Sequence, residues 1–333
     1  MPTHNFGRFI GQTLEGIVSQ ADTGVEVVIV DGASTDNTRD IVLAYQDKYP
    51  FIRYVLQDKN RGVDKDLDKS VELAEGGYCW LLSSDDVPKA GAVKRLLREI
   101  EGGQDIYLFN RTDCDLKLRP VRDRLWLSPD TKDSVFSLSD QGDWLDYLSR
   151  ARSIGALLSY CSSIVFRREY WNRSSYNESF TGTGYAHVHR LFSAPGGRGS
   201  LKYIREPLVL CRGDNDSFLK GGGIRRFLMD VDGYRRLAGS LLSDDPAGRT
   251  AFLGVLKHDV RLPYLIKLRS QAGGAAQWDG IEQKLVECGY GHRTLRAARL
   301  LGSLKPLVAP AVILKQSLMK SRVFLYNLKR RSS

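Results

Sequence analysis

The sequence predicts an α/β protein in which a mostly parallel sheet is flanked by helices and followed by a helical C-terminal extension. Three observations carry this expectation. The run VEVVIV at 25–30 is β-branched and apolar except for Glu26, as in a strand buried on both faces. Strand-like and helix-like segments alternate over the first 110 residues, and from about residue 236 helical spacing dominates.

The elements follow in order. VEVVIV ends in DGASTDNT, rich in turn and capping residues, and TRDIVLAYQDKY (38–49) has helical spacing. FIRYVLQ (51–57) is a second strand, and DKDLDKSVELAEGG (64–77) a helix stopped by a glycine pair. YCWLLSS (78–84) is a third strand, KAGAVKRLLREIEGG (89–103) a third helix and IYLFN (106–110) a fourth strand. The aromatic-rich middle is less regular, though LKYIREPLVLC (201–211) reads as a strand. These shifts suggest three regions, 1–112, 113–235 and 236–333.

With 333 residues, 42% of them hydrophobic and 26% charged, the chain has the composition of a soluble globular protein with a real core. The five cysteines are scattered and form no CxxC pair, which suits reduced thiols in the cytosol and argues against a zinc site. MPTHNFGRFIGQ lacks the basic-then-apolar pattern of a secretory signal. The longest apolar run of the tail, PLVAPAVIL (306–314), is far short of the ~20 residues of a spanning helix. Net charge is +10, but residues 246–333 hold 16 Lys and Arg against 4 Asp and Glu, which leaves the first 245 residues at −2. The basic character belongs to the tail, where it suits nucleic acid, an anionic membrane or a solvated helical face.

Ligands of open α/β sheets bind outside the carboxyl ends of the strands. Asp31 and the pair Asp85–Asp86 both fall at such ends. Two adjacent carboxylates disfavour each other's ionisation unless a cation or hydrogen-bond donors compensate. Asp85–Asp86 therefore suits a divalent cation bound to a diphosphate, with helix capping as the bland reading. Asp31 suits a base N–H or a ribose hydroxyl, while Thr35 or Asp36 caps the next helix. Pro2, Thr3 and Asn5 read by themselves as a helix cap with a loose start. In YAHVHRLF (185–192), His187 and His189 stand two apart, which on a strand is one face. A metal pair there lacks an evident third ligand, and a single His or the nearby Glu178 as general base is the more useful reading. Arg212, in RGDNDSF, is either part of a mobile loop closing over a diphosphate or part of a surface turn. No GxGxxG after a strand, GxxxxGK[ST] or GxSxG is present, which disfavours dinucleotide dehydrogenases, P-loop enzymes and α/β-hydrolases.

The run PTHN-FGRFIGQTLEGIVSQ, then VEVVIVDGASTDNT, then NRGVDKDLDKSVELAEGGYCWLLSSDD resembles family-2 inverting glycosyltransferases of the GT-A fold, over about residues 1–110. The longer match through GVDKDLDKSVELA, SSDDVPKAGA, GTGYAHVHRL and CRGDNDSF resembles the bacterial O-antigen subgroup typified by abequosyltransferases. The resemblance implies that Pro2, Thr3 and Asn5 line the nucleotide and that Asp31 reads base or ribose. It implies that Asp85 and Asp86 serve the metal–diphosphate, with Asp86 the direct ligand of Mn²⁺ or Mg²⁺. The family's acidic base has no counterpart in 184–189, so His187 is the first candidate and Glu178 the second. Gly32 stands where many relatives carry Asp. Relatives also have an apolar strand ahead of the Pro-Thr segment. That first strand is missing here, and an added ~8–10 residues, about one strand and its lead-in, are expected to raise thermal stability.

The implied function is transfer of one sugar, with inversion, from a nucleotide-diphosphate sugar to a glycan hydroxyl in O-antigen or other cell-surface polysaccharide synthesis. The implied acceptor is a glycan or lipid-linked oligosaccharide at the inner face of the cytoplasmic membrane, with the basic tail on anionic lipid and no nucleic-acid partner. The alternative is a degenerate GT-A-like module, or a basic module binding nucleic acid or membrane, which the intact Asp31 and Asp85–Asp86 speak against.

Overall fold

A computed structural model describes residues 1–21, 24–195 and 197–303. Strands β1 (Pro2–Thr3), β2 (Val27–Asp31) and β3 (Ile52–Leu56) form a parallel sheet in that order, linked through helices α1 (Gly7–Val18) and α2 (Thr38–Gln46). β2 is buried along its whole length, as its unbroken apolar run requires. Helix α3 (Val63–Glu72) returns the chain to β4 (Tyr78–Leu81), which opens a second sheet.

Then follow β5 (Val87–Pro88), α4 (Ala92–Ile100), β6 (Ile106–Cys114), β7 (Pro120–Arg124), β8 (Ser134–Ser137) and α5 (Gln141–Arg150). β9 (Ile164–Arg167), α6 (Arg168–Asn172), α7 (Ala186–Phe192) and β10 (Ser200–Cys211) complete this half. The second sheet runs β4-β9-β6-β10-β5, with β7 on β6 and β8 on β10. Among the described residues β6–β10 is its one parallel pair, and the other pairs are antiparallel. The parallel pattern thus belongs to the first sheet and the centre of the second. The antiparallel strands come from the irregular middle of the chain, where strand direction is set by long-range pairing.

β6 runs unbroken through the expected boundary at 112/113, and α8 (Gly223–Leu241) through that at 235/236. The two halves share the second sheet. Helices α9 (Pro246–Gly254), α10 (Leu256–Asp259), α11 (Leu262–Gln271), α12 (Ala275–Glu287) and α13 (His292–Ser303) follow α8. Their apolar faces, with Trp278, Leu265 and Leu295, join the same core as α5, α7 and β6. Among the described residues no helix is long and apolar enough to cross a membrane. The last part of the basic tail, 304–333, with the apolar run 306–314, lies outside the described residues.

The expected absence of a first strand meets a two-residue strand in the structure. Pro2 pairs with Val30 and Thr3 with Asp31, and the Met1 nitrogen donates to the Val28 carbonyl at 2.8 Å. Beside this short strand a cavity of about 290 Å³ lies between the two sheets, lined by Val27, Val28, Cys79, Leu81 and Leu96.

Candidate active site

Asp85 and Asp86 lie in the link between β4 and β5, and β5 is pinned to β10 through Val87↔Leu210 and Pro88↔Val209. The helix-cap reading fails here, because α4 begins only at Ala92, after Gly91. Asp86 is 3% exposed. Its Oδ2 accepts from the Tyr160 hydroxyl at 2.5 Å and the Ser162 hydroxyl at 2.6 Å, and its Oδ1 from the Arg212 backbone N–H at 3.1 Å. Asp85 accepts from the Ser83 hydroxyl at 2.5 Å and from Asn215 Nδ2 at 2.7 Å. Burial first, and the Asp85 charge second, push the Asp86 pKa up to about 6. Tyr160 is in turn held by the Arg111 guanidinium, 4.1 Å above its ring.

A carboxylate has about four lone-pair sites, so after these hydrogen bonds Asp85 keeps two and Asp86 one. Among the described residues no three His, Cys, Asp or Glu gather into a metal site. Two carboxylates at a strand end still fit a hard divalent cation that takes its other ligands from diphosphate oxygens and water. A cation would also relieve the like-charge repulsion that raises the Asp86 pKa.

The residues expected to line a nucleotide stand on and after β1 and β2. Asp31 is fully buried and gives one oxygen to the Ser34 N–H at 2.8 Å and the other to the Tyr54 hydroxyl at 2.7 Å. Its carboxylate is committed to the turn after β2. Asn5 does similar work: its Oδ1 accepts from the Thr35 N–H at 2.8 Å, and its own N–H donates to the Ser34 hydroxyl at 2.8 Å. Asp36 ties two helix starts, accepting from the N–H groups of Gly7 and Thr38 at 3.0 Å each. The Pro2 carbonyl accepts from the Ser84 hydroxyl at 2.6 Å, which stitches β1 to the strand end beside Asp85. The Thr3 hydroxyl is buried without a partner.

Arg212 corrects the expectation of a mobile residue closing over a diphosphate. It is buried, with Nε on the Asp85 carbonyl at 3.0 Å and its terminal nitrogens on Leu116 O at 2.7 Å and Gln12 Oε1 at 2.8 Å. It also stacks over Phe9 at 4.6 Å. The guanidinium fastens the Asp85–Asp86 link from behind. From the same segment, Asn215 is the side chain that reaches the acidic pair.

His187 and His189 lie on α7, a helix and not a strand, so residues two apart diverge by about 200°. That geometry removes the metal-pair reading. His187 Nε2 lies 3.0 Å from the Leu158 carbonyl. A carbonyl only accepts, so Nε2 carries the proton and Nδ1 the lone pair. Burial lowers the His187 pKa, and nearby Asp64 opposes that shift. His189 Nε2 lies 3.1 Å from the Ser240 hydroxyl. Glu178 is exposed and pairs with Lys65 at 2.9 Å, which holds its carboxyl below the usual range. Neither His187 nor Glu178 contacts Asp85 or Asp86.

Sequence reasoning missed Tyr160, Ser162, Asn215, Asp64 and Asp66. Asp64 accepts from the N–H groups of Gly184 at 3.0 Å and Ala186 at 3.3 Å, at the entry to α7. Tyr160 and Ser162 lie more than seventy residues from Asp86 in the chain, and no local pattern marks them. For Asp64 and Asp66 the signal was visible: two acids on the first turn of a helix whose residues there are buried.

A family model described as Glycosyl transferase family 2 matches residues 1–171. Abequosyltransferase RfbV of Salmonella typhimurium is 33% identical over 323 residues, covering 95% of this chain and 96% of the relative. Glycosyltransferase GlyG of Streptococcus pneumoniae is 26% identical over 116 residues, 34% of this chain and 38% of that one. Among solved structures, S. aureus TarS 1-349 in complex with UDP-GlcNAc aligns with a TM-score of 0.61 at 15% identity, covering 94% of this chain and 90% of that one. The mannosyltransferase PcManGT from Pyrobaculum calidifontis, in complex with GDP-Man and Mn²⁺, aligns with a TM-score of 0.50 at 16% identity, covering 92% and 84%. At these identities the two structures speak for the GT-A fold alone. The front half matched by the family model, and a relative aligned almost from end to end, place this chain in glycosyl transferase family 2.

Proposed function

We propose that the protein moves one sugar, with inversion, from a nucleoside-diphosphate sugar to a hydroxyl of a glycan or lipid-linked oligosaccharide in O-antigen or related cell-surface polysaccharide synthesis. The observation that carries the reading is Asp85–Asp86, fixed between β4 and β5 by Tyr160, Ser162, Arg212 and Asn215. The abequosyltransferase relative supports the class of sugar transfer.

Asp85 and Asp86 would hold Mn²⁺ or Mg²⁺ with their remaining lone pairs, and that cation, when bound, supplies positive charge to the departing diphosphate. The surrounding hydrogen bonds fix both carboxylates before substrate arrives, so little reorganisation accompanies the chemistry. His187, through Nδ1, accepts the acceptor hydroxyl's proton as that oxygen attacks the anomeric carbon from the face opposite the diphosphate. Glu178 is the second candidate for that role. One displacement inverts the anomeric configuration. The enzyme works in the cytoplasm at the inner face of the cytoplasmic membrane, its basic tail against anionic lipid.

The test is a thermal-shift series with UDP, GDP, CDP and TDP, with and without Mn²⁺ or Mg²⁺, on the wild type and Asp86→Ala. A ligand that binds only the folded state raises the melting temperature. A metal-dependent rise with one nucleotide, lost in Asp86→Ala, is expected. No rise with any nucleotide in a folded sample rejects the transferase reading.

A further inference from the structure

We propose that Asp66 is the residue that reads the donor's nucleobase, accepting a ring or exocyclic N–H of the base at the carboxyl ends of β2 and β3. This deepens the transferase reading and rests on it.

The argument starts at Gly32, the residue after β2. A Cβ built there would lie 2.8 Å from Asp66 Oδ2 and 3.6 Å from Asn60 Oδ1. The space above the strand end that a side chain at 32 would fill is therefore held by a carboxylate from α3. Asp31, at the end of β2, is no rival for the role. It is 0% exposed, closed off from a ligand, and already has two donors, the Ser34 N–H and the Tyr54 hydroxyl, where Asp66 has the Gln57 amide.

Asp66 is differently placed. It is 3% exposed, and Gln57 Nε2 donates to its Oδ1. A buried carboxylate needs more than one amide donor to offset its lost hydration. Burial pushes the Asp66 pKa up, with Gln57, His4 and Arg61 opposing and Asp31 adding to the shift. A base N–H would supply the missing donor.

Two neighbouring polar atoms point the same way. Thr3 is 3% exposed and its hydroxyl has no partner. Thr3 stands opposite Asp31 in the parallel β1–β2 ladder, so the two side chains share a face. Buried Nδ1 of His4, the next residue, is also without a partner. An acceptor with unspent capacity, a His4 ring with unpaired Nδ1 close enough to act on its charge, and an unpaired Thr3 hydroxyl at the end of the adjoining strand are the features of a site awaiting a polar planar ligand.

Calorimetric titration of the full chain with UDP, GDP, CDP and TDP, and with ribose 5-diphosphate as a base-free probe, tests the assignment. Asp66→Asn keeps the shape and removes the charge. It should weaken the preferred nucleotide by roughly tenfold to a hundredfold, the effect of losing one charge-assisted hydrogen bond, while ribose 5-diphosphate stays within about twofold. Gly32→Ala, whose methyl would lie 2.8 Å from Asp66 Oδ2 and displace that carboxylate, should weaken the same nucleotide although the Asp66 side chain is still present. Equal losses on nucleotide and base-free probe, or no loss in either variant, would overturn the assignment and leave the transferase reading standing. A wild type that binds no nucleoside diphosphate would overturn both.

Discussion

Adjacent carboxylates in an interior are tolerable only where donors surround them, and Asp85–Asp86 shows how the donors are assembled. Tyr160, Ser162, Arg212 and Asn215 come from two distant parts of the chain and meet at one link. The same scale bears on the proposed base. His187 keeps its lone pair on Nδ1 because Leu158 O takes the Nε2 proton. His187→Gln should lower turnover by roughly 10²–10⁴-fold with donor affinity unchanged, and Glu178→Gln by only a few-fold. The reverse pattern in steady-state kinetics moves the base to Glu178. The His187 pKa also sets a pH dependence. It is lowered in the folded state, so the stability the neutral ring contributes is present above the unfolded value of 6.5 and is lost as pH falls below it. Thermal midpoints between pH 7 and pH 5 should therefore fall more in the wild type than in His187→Gln.

Among the elements, α7 depends on α3. Asp64, on the first turn of α3, accepts both backbone N–H groups at the α7 entry, and Gly184 there has φ +76°. Asp64→Ala strands two donors, and the expected cost is about 1–3 kcal/mol in denaturant unfolding. Hydrogen exchange at Gly184 and Ala186 should accelerate, whereas exchange in β2 should not. Unchanged protection at 184–186 would mean that the loop is held by other contacts. Helical spacing in the sequence does not reveal this coupling. YAHVHRLF was open to a strand reading because seven residues hold fewer than two turns of periodic signal.

For the molecule as a whole, charge is divided. The front carries the acidic site, and the basic excess sits in 246–333. Described helices spend part of that excess internally: Arg299 pairs with Asp279 at 2.5 Å and also with Glu282. Leu300 and Leu301 nevertheless stay exposed near the end of α13. Pelleting with anionic vesicles should fall when Lys329, Arg330 and Arg331 are replaced by Ala, each charge contributing about 1 kcal/mol near the surface. Unchanged pelleting rejects the membrane role for that end of the chain.

The sequence by itself determined the class of fold, the order of the first elements, and the placing of Asp31 and Asp85–Asp86 at strand ends. Each of these rests on local information: periodicity, glycine stops, and acids following apolar runs. The tertiary structure alone decided which groups those acids touch. It turned Asp31 and Arg212 inward as fasteners, brought Tyr160, Ser162 and Asn215 onto the acidic pair, and set the carboxylate of Asp66 above Gly32. It also fixed the antiparallel strands of the second sheet. A carboxylate's role depends on which donors reach it, and those donors arrive through contacts between residues far apart in the chain.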